Sequence, residues 1–277
     1  MKKSMAAFHY IVWMVIFTVV PMLLILGYSL IEVTDNGVIH LTLDYIRKCF
    51  EPIYLQIIAF SFYTAILCTA LCLVIGYPIA IILAGDSFKH KNTLIFLLLA
   101  PMWMNFLLRT YSWLTLLERN GLINRLLTLL GLPNHSILYT TGSVMLGMVY
   151  NFLPFMILPI YSVVSKIDSN LIEAANDLGA SKWNIFRKIT LPMSIQGVFS
   201  GIVMVFMPAV TTFVITRLLG GGQKEMIGNV IEQQFIVSGD WSFGSALSAL
   251  LMVVILVCIS FSNRKGTAEK GERGALI

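Results

Sequence analysis

The amino-acid sequence predicts an all-α, polytopic membrane protein with six transmembrane helices. Of its 277 residues, 57% are hydrophobic and only 12% are charged, whereas soluble domains carry roughly 25% charged residues. A soluble chain of this length could not bury so much apolar surface, because its own exterior would need polar cover. The apolar residues form continuous runs without the period-2 alternation of membrane strands, which excludes a transmembrane barrel and favours helices.

Six apolar stretches are long enough to cross a membrane, since a hydrocarbon core of about 30 Å needs about 20 helical residues. They lie near Phe8–Leu30, Ile57–Leu83, Leu94–Leu117, Ser143–Val164, Ile195–Leu219 and Phe243–Phe261. The first stretch is longer than the apolar core of a signal peptide and lacks a small-residue cleavage site. It is therefore predicted to be a retained first span.

Helix breakers and small residues mark several of these stretches. Prolines occur in the second to fifth, at Pro78, Pro101, Pro154, Pro159 and Pro208. We expect kinks there, because proline removes a backbone donor. Gly197 and Gly201 have the small-xxx-small spacing of a helix interface, which predicts close packing of the fifth span.

The distribution of lysine and arginine predicts that both termini lie in the cytoplasm. Twelve basic residues fall on the side of the termini, namely Lys2, Lys3, Lys89, Lys91, Lys166, Lys182, Arg187, Lys188, Arg264, Lys265, Lys270 and Arg273. Six fall on the other side, namely Arg47, Lys48, Arg119, Arg125, Arg217 and Lys224. These residues form no basic stripe interleaved with aromatics, so no nucleic-acid partner is predicted.

The longest cytoplasmic loop predicts two short amphipathic helices joined by a sharp turn. Asp168 or Ser169 can cap the first helix, because their side-chain oxygens accept hydrogen bonds from free backbone N–H groups. Gly179 suits the left-handed position that ends such a helix. Ser181 can cap the second helix, which Pro192 follows.

The same loop resembles the EAA motif of ABC importer permeases. The motif reads Glu173-Ala174-Ala175, three residues, Gly179, nine residues, Ile189, one residue and Leu191-Pro192, and both gaps are met. The resemblance implies a type I, MetI-like importer fold whose loop docks into a cleft on a separate ATP-hydrolysing subunit and transmits its closure to the pore.

The resemblance also implies a role for each motif residue. Glu173 would contact the ATPase cleft, and Ala174 and Ala175 would allow close approach. Gly179 would make the turn, and Leu191-Pro192 would fix the exit into the fifth span. Residues 57–263 would form the transmembrane domain with its coupling loop at 166–193. The flanking parts would be the tail, first span and external loop at 1–56 and a cytoplasmic tail at 264–277.

The chain lacks the G-x-x-x-x-G-K-[ST] pattern that cradles nucleotide phosphates. Its spans show no nucleophile or metal-ligand constellation, so no catalytic residue, metal or cofactor is predicted. A membrane-embedded enzyme is correspondingly disfavoured. ATP and Mg would be used by partner ATPase subunits, and this subunit would not itself be an enzyme.

Further segments are similar to the PotB-type spermidine/putrescine permeases. They include Arg109-Thr110-Tyr111-Ser112-Trp113-Leu114, Met226-Ile227-Gly228-Asn229 and Trp241-x-x-Gly244. The resemblance implies a polyamine importer with two ABC ATPase subunits, a second, PotC-like permease subunit and an extracytoplasmic polyamine-binding protein. Alternatives are a permease for an amino acid, thiamine, iron or a phosphonate, and an ion-coupled secondary transporter, which would need the intramembrane acids that these spans lack.

A polycationic cargo needs carboxylates and aromatic faces along its route. The candidates for this path are Trp113, Glu118, Glu232, Asp240 and Trp241, with Asp240 and Trp241 as the most attractive aromatic–acid pair. Arg109 lies inside the third span, where a bare cation would repel such a cargo. We expect it to be neutralised by a partner, to reach outward to the membrane interface, or to brace helices.

Overall fold

The structure is a computed structural model that describes residues 2–33, 39–85, 91–131, 133, 136–223 and 225–274. For residues 2–7, 33, 39, 92 and 261–274 this description covers the backbone alone. Lys89 and Lys224, which contribute to the orientation count, lie outside the described residues.

Five helices in this part of the chain are long and apolar enough to cross a membrane: Phe8–Tyr28, Pro52–Ala84, Thr141–Val164, Lys182–Thr211 and Trp241–Ser260. A sixth candidate is a helix pair bent by 95°, Thr93–Trp103 with Phe106–Leu129. The predicted all-α membrane fold is confirmed. The addition to it is a two-stranded antiparallel hairpin of β1 (Ile31–Val33) and β2 (Ile39–Leu41), with Glu32 opposite His40.

The first compact unit comprises residues 1–59 and 227–261. Its helices are α1 (Lys2–Met14), α2 (Val20–Tyr28), α3 (Asp44–Lys48), the start of α4 (Pro52–Ala84), α13 (Ile227–Gln233) and most of α14 (Trp241–Gly274), with π-helical turns at Val15–Val19 and Gln234–Ser238. The ring of Phe243 is fully buried there. It meets the ring of Tyr54 at 5.0 Å, and Lys48 Nζ lies 4.3 Å from its centre.

The second unit comprises residues 60–226 and 262–277. It contains the rest of α4, α5 (Lys91–Leu99), a 3-10 turn (Ala100–Trp103), α6 (Phe106–Leu117), α7 (Leu122–Leu129), α8 (Thr141–Val164), α9 (Ser169–Asp177), α10 (Lys182–Ile185), a π-helical turn (Phe186–Thr190), α11 (Leu191–Thr211) and α12 (Val214–Gly220). Helix α8 is central, because it packs against α6, α11 and α12.

Two glycines of α11 allow that helix to approach α8 closely in this second unit. A Cβ atom at Gly197 would lie 2.8 Å from Pro159 O, and one at Gly201 would lie 2.8 Å from Met156 Sδ. Real Cβ atoms do not approach other atoms so closely, and Pro159 O is a backbone atom that cannot move aside, so glycine at 197 lets α11 lie this near to α8. The predicted helix interface is confirmed.

The third span, predicted over Leu94–Leu117 with a kink at Pro101, is more than kinked there: the helix is interrupted and the chain bends by 95°. The helix passes into the 3-10 turn that contains Pro101, and the chain becomes extended at Met104, with φ −73° and ψ 149°. A new helix then begins at Asn105, whose Oδ1 accepts hydrogen bonds from the N–H groups of Leu107 and Leu108. The other span prolines, Pro78, Pro154, Pro159 and Pro208, lie inside unbroken helices.

The predicted fifth span, Ile195–Leu219, is wrong at its C-terminal end. One unbroken helix runs over Lys182–Thr211, and the chain becomes extended at Thr212, with ψ 137°. The second loop helix is therefore not separate from the fifth span: it continues through the π-helical turn into α11, which begins at Leu191-Pro192. The helix stays continuous because of the π-helical turn. Leu191 N–H donates to Phe186 O, so the helical hydrogen bonds continue up to Pro192, which has no N–H to donate.

Candidate coupling and substrate sites

The loop at 166–193 forms a helix hairpin whose ends are capped as the local sequence predicts. Asp168 is the N-cap of α9, and its Oδ1 accepts a hydrogen bond from Asn170 N at 2.9 Å. Ser181 is the N-cap of the second helix, and its Oγ accepts from Asn184 N at 3.3 Å. Both caps satisfy backbone donors that a helix start leaves without an intrahelical partner.

A glycine turn joins the two helices. Gly179 has φ +78°, in the left-handed region that glycine enters at little cost. Its N–H donates to Asn176 O at 2.8 Å, and Ala180 N–H donates to Ala175 O at 3.0 Å. This pair of bonds is a Schellman motif, which satisfies the last carbonyls of α9 and turns the chain sharply.

The hairpin presents a mixed apolar and acidic surface. Glu173 and Ala174 are exposed, and Ala175 is half-buried. Beside them, Leu178 is 89% exposed and Trp183 is 65% exposed. Large apolar side chains held out on a rigid, capped hairpin are typical of a protein docking surface.

The remaining motif residues belong to the helix that follows. Ile189 lies in the π-helical turn and is half-buried, and Leu191 and Pro192 begin α11. The structure therefore divides the motif into an exposed turn and the base of a long helix. Sequence reasoning missed this division, because a proline after a short helix predicts an end.

Of the proposed substrate-path residues, Trp113 and Glu118 lie in the second unit. The Trp113 ring meets the Tyr150 ring edge to face at 5.1 Å. Glu118 ends α6, and its side chain is exposed. Its backbone carbonyl accepts from Gly121 N at 2.8 Å and from Asn124 Nδ2 at 3.0 Å, which fixes the turn into α7.

Glu232, Asp240 and Trp241 lie in the first unit. Asp240 Oδ1 accepts from Phe243 N at 2.9 Å, so this half-buried carboxylate caps α14. The exposed Trp241 ring contacts the rings of Phe235 at 5.4 Å and Tyr28 at 6.4 Å. Glu232 lies in α13 and is half-buried.

Three carboxylates of the first unit affect the pKa of the Tyr45 phenol. Burial raises the pKa of Tyr45, and the negative charges of Asp240, Glu32 and Asp44 add to that rise. Asp240, Glu32 and Asp44 therefore lie close enough to Tyr45 for their negative charges to act on the same phenol.

Arg109 is buried in α6 and braces the break in the third span. Its NH1 donates to Pro101 O at 2.8 Å, on the far side of the bend. Its guanidinium carbon lies 5.8 Å from the ring centres of both Phe106 and Tyr150. Among the described residues, its Nε has no hydrogen-bond partner. Of the three expectations for Arg109, the contacts agree with bracing.

A cavity of about 280 Å³ in the second unit was not foreseen from the sequence. Its lining includes Thr64, Tyr139, Thr140, Val144 and Thr216, which come from segments far apart in the chain. Tyr139 has φ +64°, which is rare for a residue other than glycine. None of the described lining residues is charged, so the cavity offers no carboxylate to a cationic cargo.

The long apolar helices and the capped, exposed hairpin define a multi-span membrane protein of the permease class. Residues 76–264 match the family described as binding-protein-dependent transport system inner membrane component. The chain belongs to this family and is a multi-pass inner-membrane protein.

Relatives with similar sequences carry a more specific name. The chain is 38% identical over 247 residues to the spermidine/putrescine transport system permease protein PotB of Escherichia coli (strain K12), over 88% of this chain and 90% of that protein. It is 36% identical over 251 residues to the protein of the same name from Haemophilus influenzae, over 89% and 88% of the two chains.

A solved structure supports the fold. The structure of a bacterial ABC transporter involved in the import of the acidic polysaccharide alginate matches with a TM-score of 0.77, over 96% of this chain and 94% of that chain. Its sequence identity is 18%, so the match shows a shared fold.

Proposed function

We propose that this chain is the permease subunit of an ATP-driven importer for polyamines such as spermidine and putrescine. The observation that carries the proposal is the exposed hairpin of the EAA motif, with Gly179 at φ +78° and Trp183 65% exposed. The 38% identity to the E. coli PotB protein supports a polyamine cargo.

The proposed complex supplies what this chain lacks. Two ABC ATPase subunits bind ATP and Mg, and this subunit has no catalytic site or cofactor of its own. A second, PotC-like permease completes the pore, and an extracytoplasmic protein delivers the polyamine. Both termini lie in the cytoplasm, as does the loop at 166–193. Residues 57–263 form the transmembrane domain, between an N-terminal part (1–56) and a tail (264–277).

The unbroken helix Lys182–Thr211 determines how the hairpin acts on the pore. A displacement at Trp183 moves the same helix that continues to Thr211, because no loop intervenes to absorb it. The close contacts at Gly197 and Gly201 then pass the movement to α8. Closure of the ATPase subunits on Glu173 therefore drives two packed helices together.

The cargo path uses the aromatic and acidic groups that sequence reasoning selected. Asp240 keeps one carboxylate oxygen for a cargo ammonium, because the other caps α14. Trp241 and Trp113 offer ring faces to the methylene chain and its cationic groups. Glu118 and Glu232 add negative charge. Arg109 stays out of this path, because it holds Pro101.

Uptake by the purified complex in proteoliposomes tests the cargo. We expect ATP-dependent uptake of labelled spermidine or putrescine. Labelled amino acid, thiamine, iron and phosphonate should not accumulate. Preferential uptake of any of these solutes would overturn the polyamine assignment, and uptake driven by an ion gradient without ATP would overturn the importer class.

Substitutions in the hairpin test its coupling role. Glu173→Lys and Gly179→Asp should abolish uptake while the protein stays in the membrane, because the first reverses a docking charge and the second distorts the turn. Glu225→Lys and Gly131→Asp are matched controls: Glu225 is an exposed acid of another loop, and Gly131 has φ +74° with no atom within 4 Å of a Cβ, as at Gly179. Normal uptake by the hairpin variants would refute coupling through this segment.

A further inference from the structure

Tyr77 in α4 connects that helix to the base of the hairpin. Its ring meets the Phe186 ring edge to face at 6.1 Å, with an angle of 76° between the planes. Its hydroxyl lies 2.8 Å from Ser194 Oγ. Since Ser194 donates its own proton to Leu191 O at 2.9 Å, the Tyr77 hydroxyl is the donor to Ser194.

These two contacts lie at the first residue of an irregular part of the long helix and one helical turn beyond its end. The π-helical turn begins at Phe186, and Ser194 lies one helical turn beyond its end. Trp183 of the hairpin stacks on Phe186 at 5.3 Å, with 28° between the planes. An aromatic series therefore runs from the exposed hairpin through Phe186 to Tyr77.

The π-helical turn is the place where this helix can change shape. A π-helical turn contains one residue more than an α-helical turn and occurs often at functional sites. If it switched to α-helical bonding, the hairpin could move while α11 stayed still. A contact that holds both sides of the turn prevents this.

We propose that Tyr77 is a positioning residue that holds this turn and passes hairpin movement to α4. The inference rests on the proposed function, in which the ATPase subunits move the hairpin. The neighbouring Gly76 shows how the movement continues, because a Cβ atom there would lie 3.2 Å from both Ile157 Cγ1 and Met156 Cγ of α8. Tyr77 thus lies where α4, α8 and the helix Lys182–Thr211, the coupling helix, meet.

Tyr77→Phe tests the proposal, because it removes one hydroxyl and keeps the ring. In proteoliposomes that contain the whole complex, we expect spermidine uptake per ATP hydrolysed to fall about two- to tenfold, the usual effect of one lost hydrogen bond. ATP hydrolysis itself should persist. Ser194→Ala should lower the ratio similarly, and the double variant should be no worse than either single one.

Tyr63→Phe is the matched control, since Tyr63 lies in the same helix and is 63% exposed. It should leave the ratio of uptake to hydrolysis unchanged. An unchanged ratio of uptake to hydrolysis in Tyr77→Phe would overturn the inference, whether both rates stay normal or fall together. The proposed function would still stand in that case, provided that the wild-type complex takes up polyamine with ATP. A wild-type complex without ATP-driven polyamine uptake would overturn the proposed function and this inference with it.

Discussion

The third span and the coupling helix both contain a proline, which cannot donate a backbone hydrogen bond, but the helix breaks in one and continues in the other. Each is an apolar segment that contains a proline, Pro101 in the third span and Pro192 in the coupling helix. At Pro101 the chain turns by 95° and starts a new helix, whereas the helix that contains Pro192 runs unbroken for 30 residues. A kinked but uninterrupted span was expected in the first case, and a separate loop helix before the proline in the second.

The difference shows that the partners of the freed backbone groups decide where a helix breaks. In the third span, Asn105 caps the new helix and Arg109 binds the carbonyl of Pro101, so the broken form is satisfied. At Pro192, the bond from Leu191 N to Phe186 O keeps the ladder intact, and the preceding Thr190 makes no side-chain cap. Proline permits a break, and capping groups complete it.

The largest effect is expected from removing the brace at the bend. Arg109→Ala should lower the free energy of unfolding by about 2–4 kcal/mol, because it removes a buried charge-assisted hydrogen bond and two ring contacts. Thermal unfolding of the purified protein in detergent measures the change. Arg125→Ala is the control, since its Nε donates to Asn120 O at 3.1 Å on an exposed surface, and it should cost under about 1 kcal/mol. Equal shifts for the two variants would contradict a special role for the brace.

A smaller effect is expected at the cap of the broken span. Asn105→Ala should cost about 1 kcal/mol, because the N–H groups of Leu107 and Leu108 lose their acceptor. Asn105→Asp keeps a side-chain oxygen and should retain most of the stability. The same unfolding measurement decides, and a loss as large in Asn105→Asp as in Asn105→Ala would show that the cap does not act through this oxygen.

The smallest effect is expected at the proline of the unbroken helix. Pro192→Ala should change the free energy of unfolding by less than about 1 kcal/mol. The helix already continues through the π-helical turn without an N–H donor at position 192, and alanine is a good helix former. Parallel unfolding curves of Pro192→Ala and Arg109→Ala provide the comparison. A loss of unfolding free energy in Pro192→Ala that matched the loss in Arg109→Ala would mean that the proline ring itself stabilises the helix, and the two regions would then not differ in the proposed way.

Local chemistry explains which features could be predicted from the sequence. The helix start at Asp168, the turn at Gly179 and the cap at Ser181 depend on residues a few positions apart, and all three are confirmed. The apolar stretches required no tertiary information either. The interface at Gly197 and Gly201 followed from spacing alone.

Features that depend on distant side chains could not be predicted. The bend at Met104 needs Arg109 to reach back to Pro101, and the hold on the π-helical turn needs Tyr77 from another helix. The roles of Glu173 in docking and of Asp240 and Trp241 in the cargo path stay predictions, because each concerns a partner outside this chain.

The Schellman turn at Gly179 also has a consequence for the speed and strength of association. A flexible loop would lose conformational freedom when an ATPase subunit bound it, and that loss would weaken the complex. Here both helices are already capped and the bend between them is set by four backbone atoms. The binding partner therefore meets a preorganised hairpin. The free energy of ATP-driven closure can then move the hairpin and its helix, because little of it is spent on ordering them.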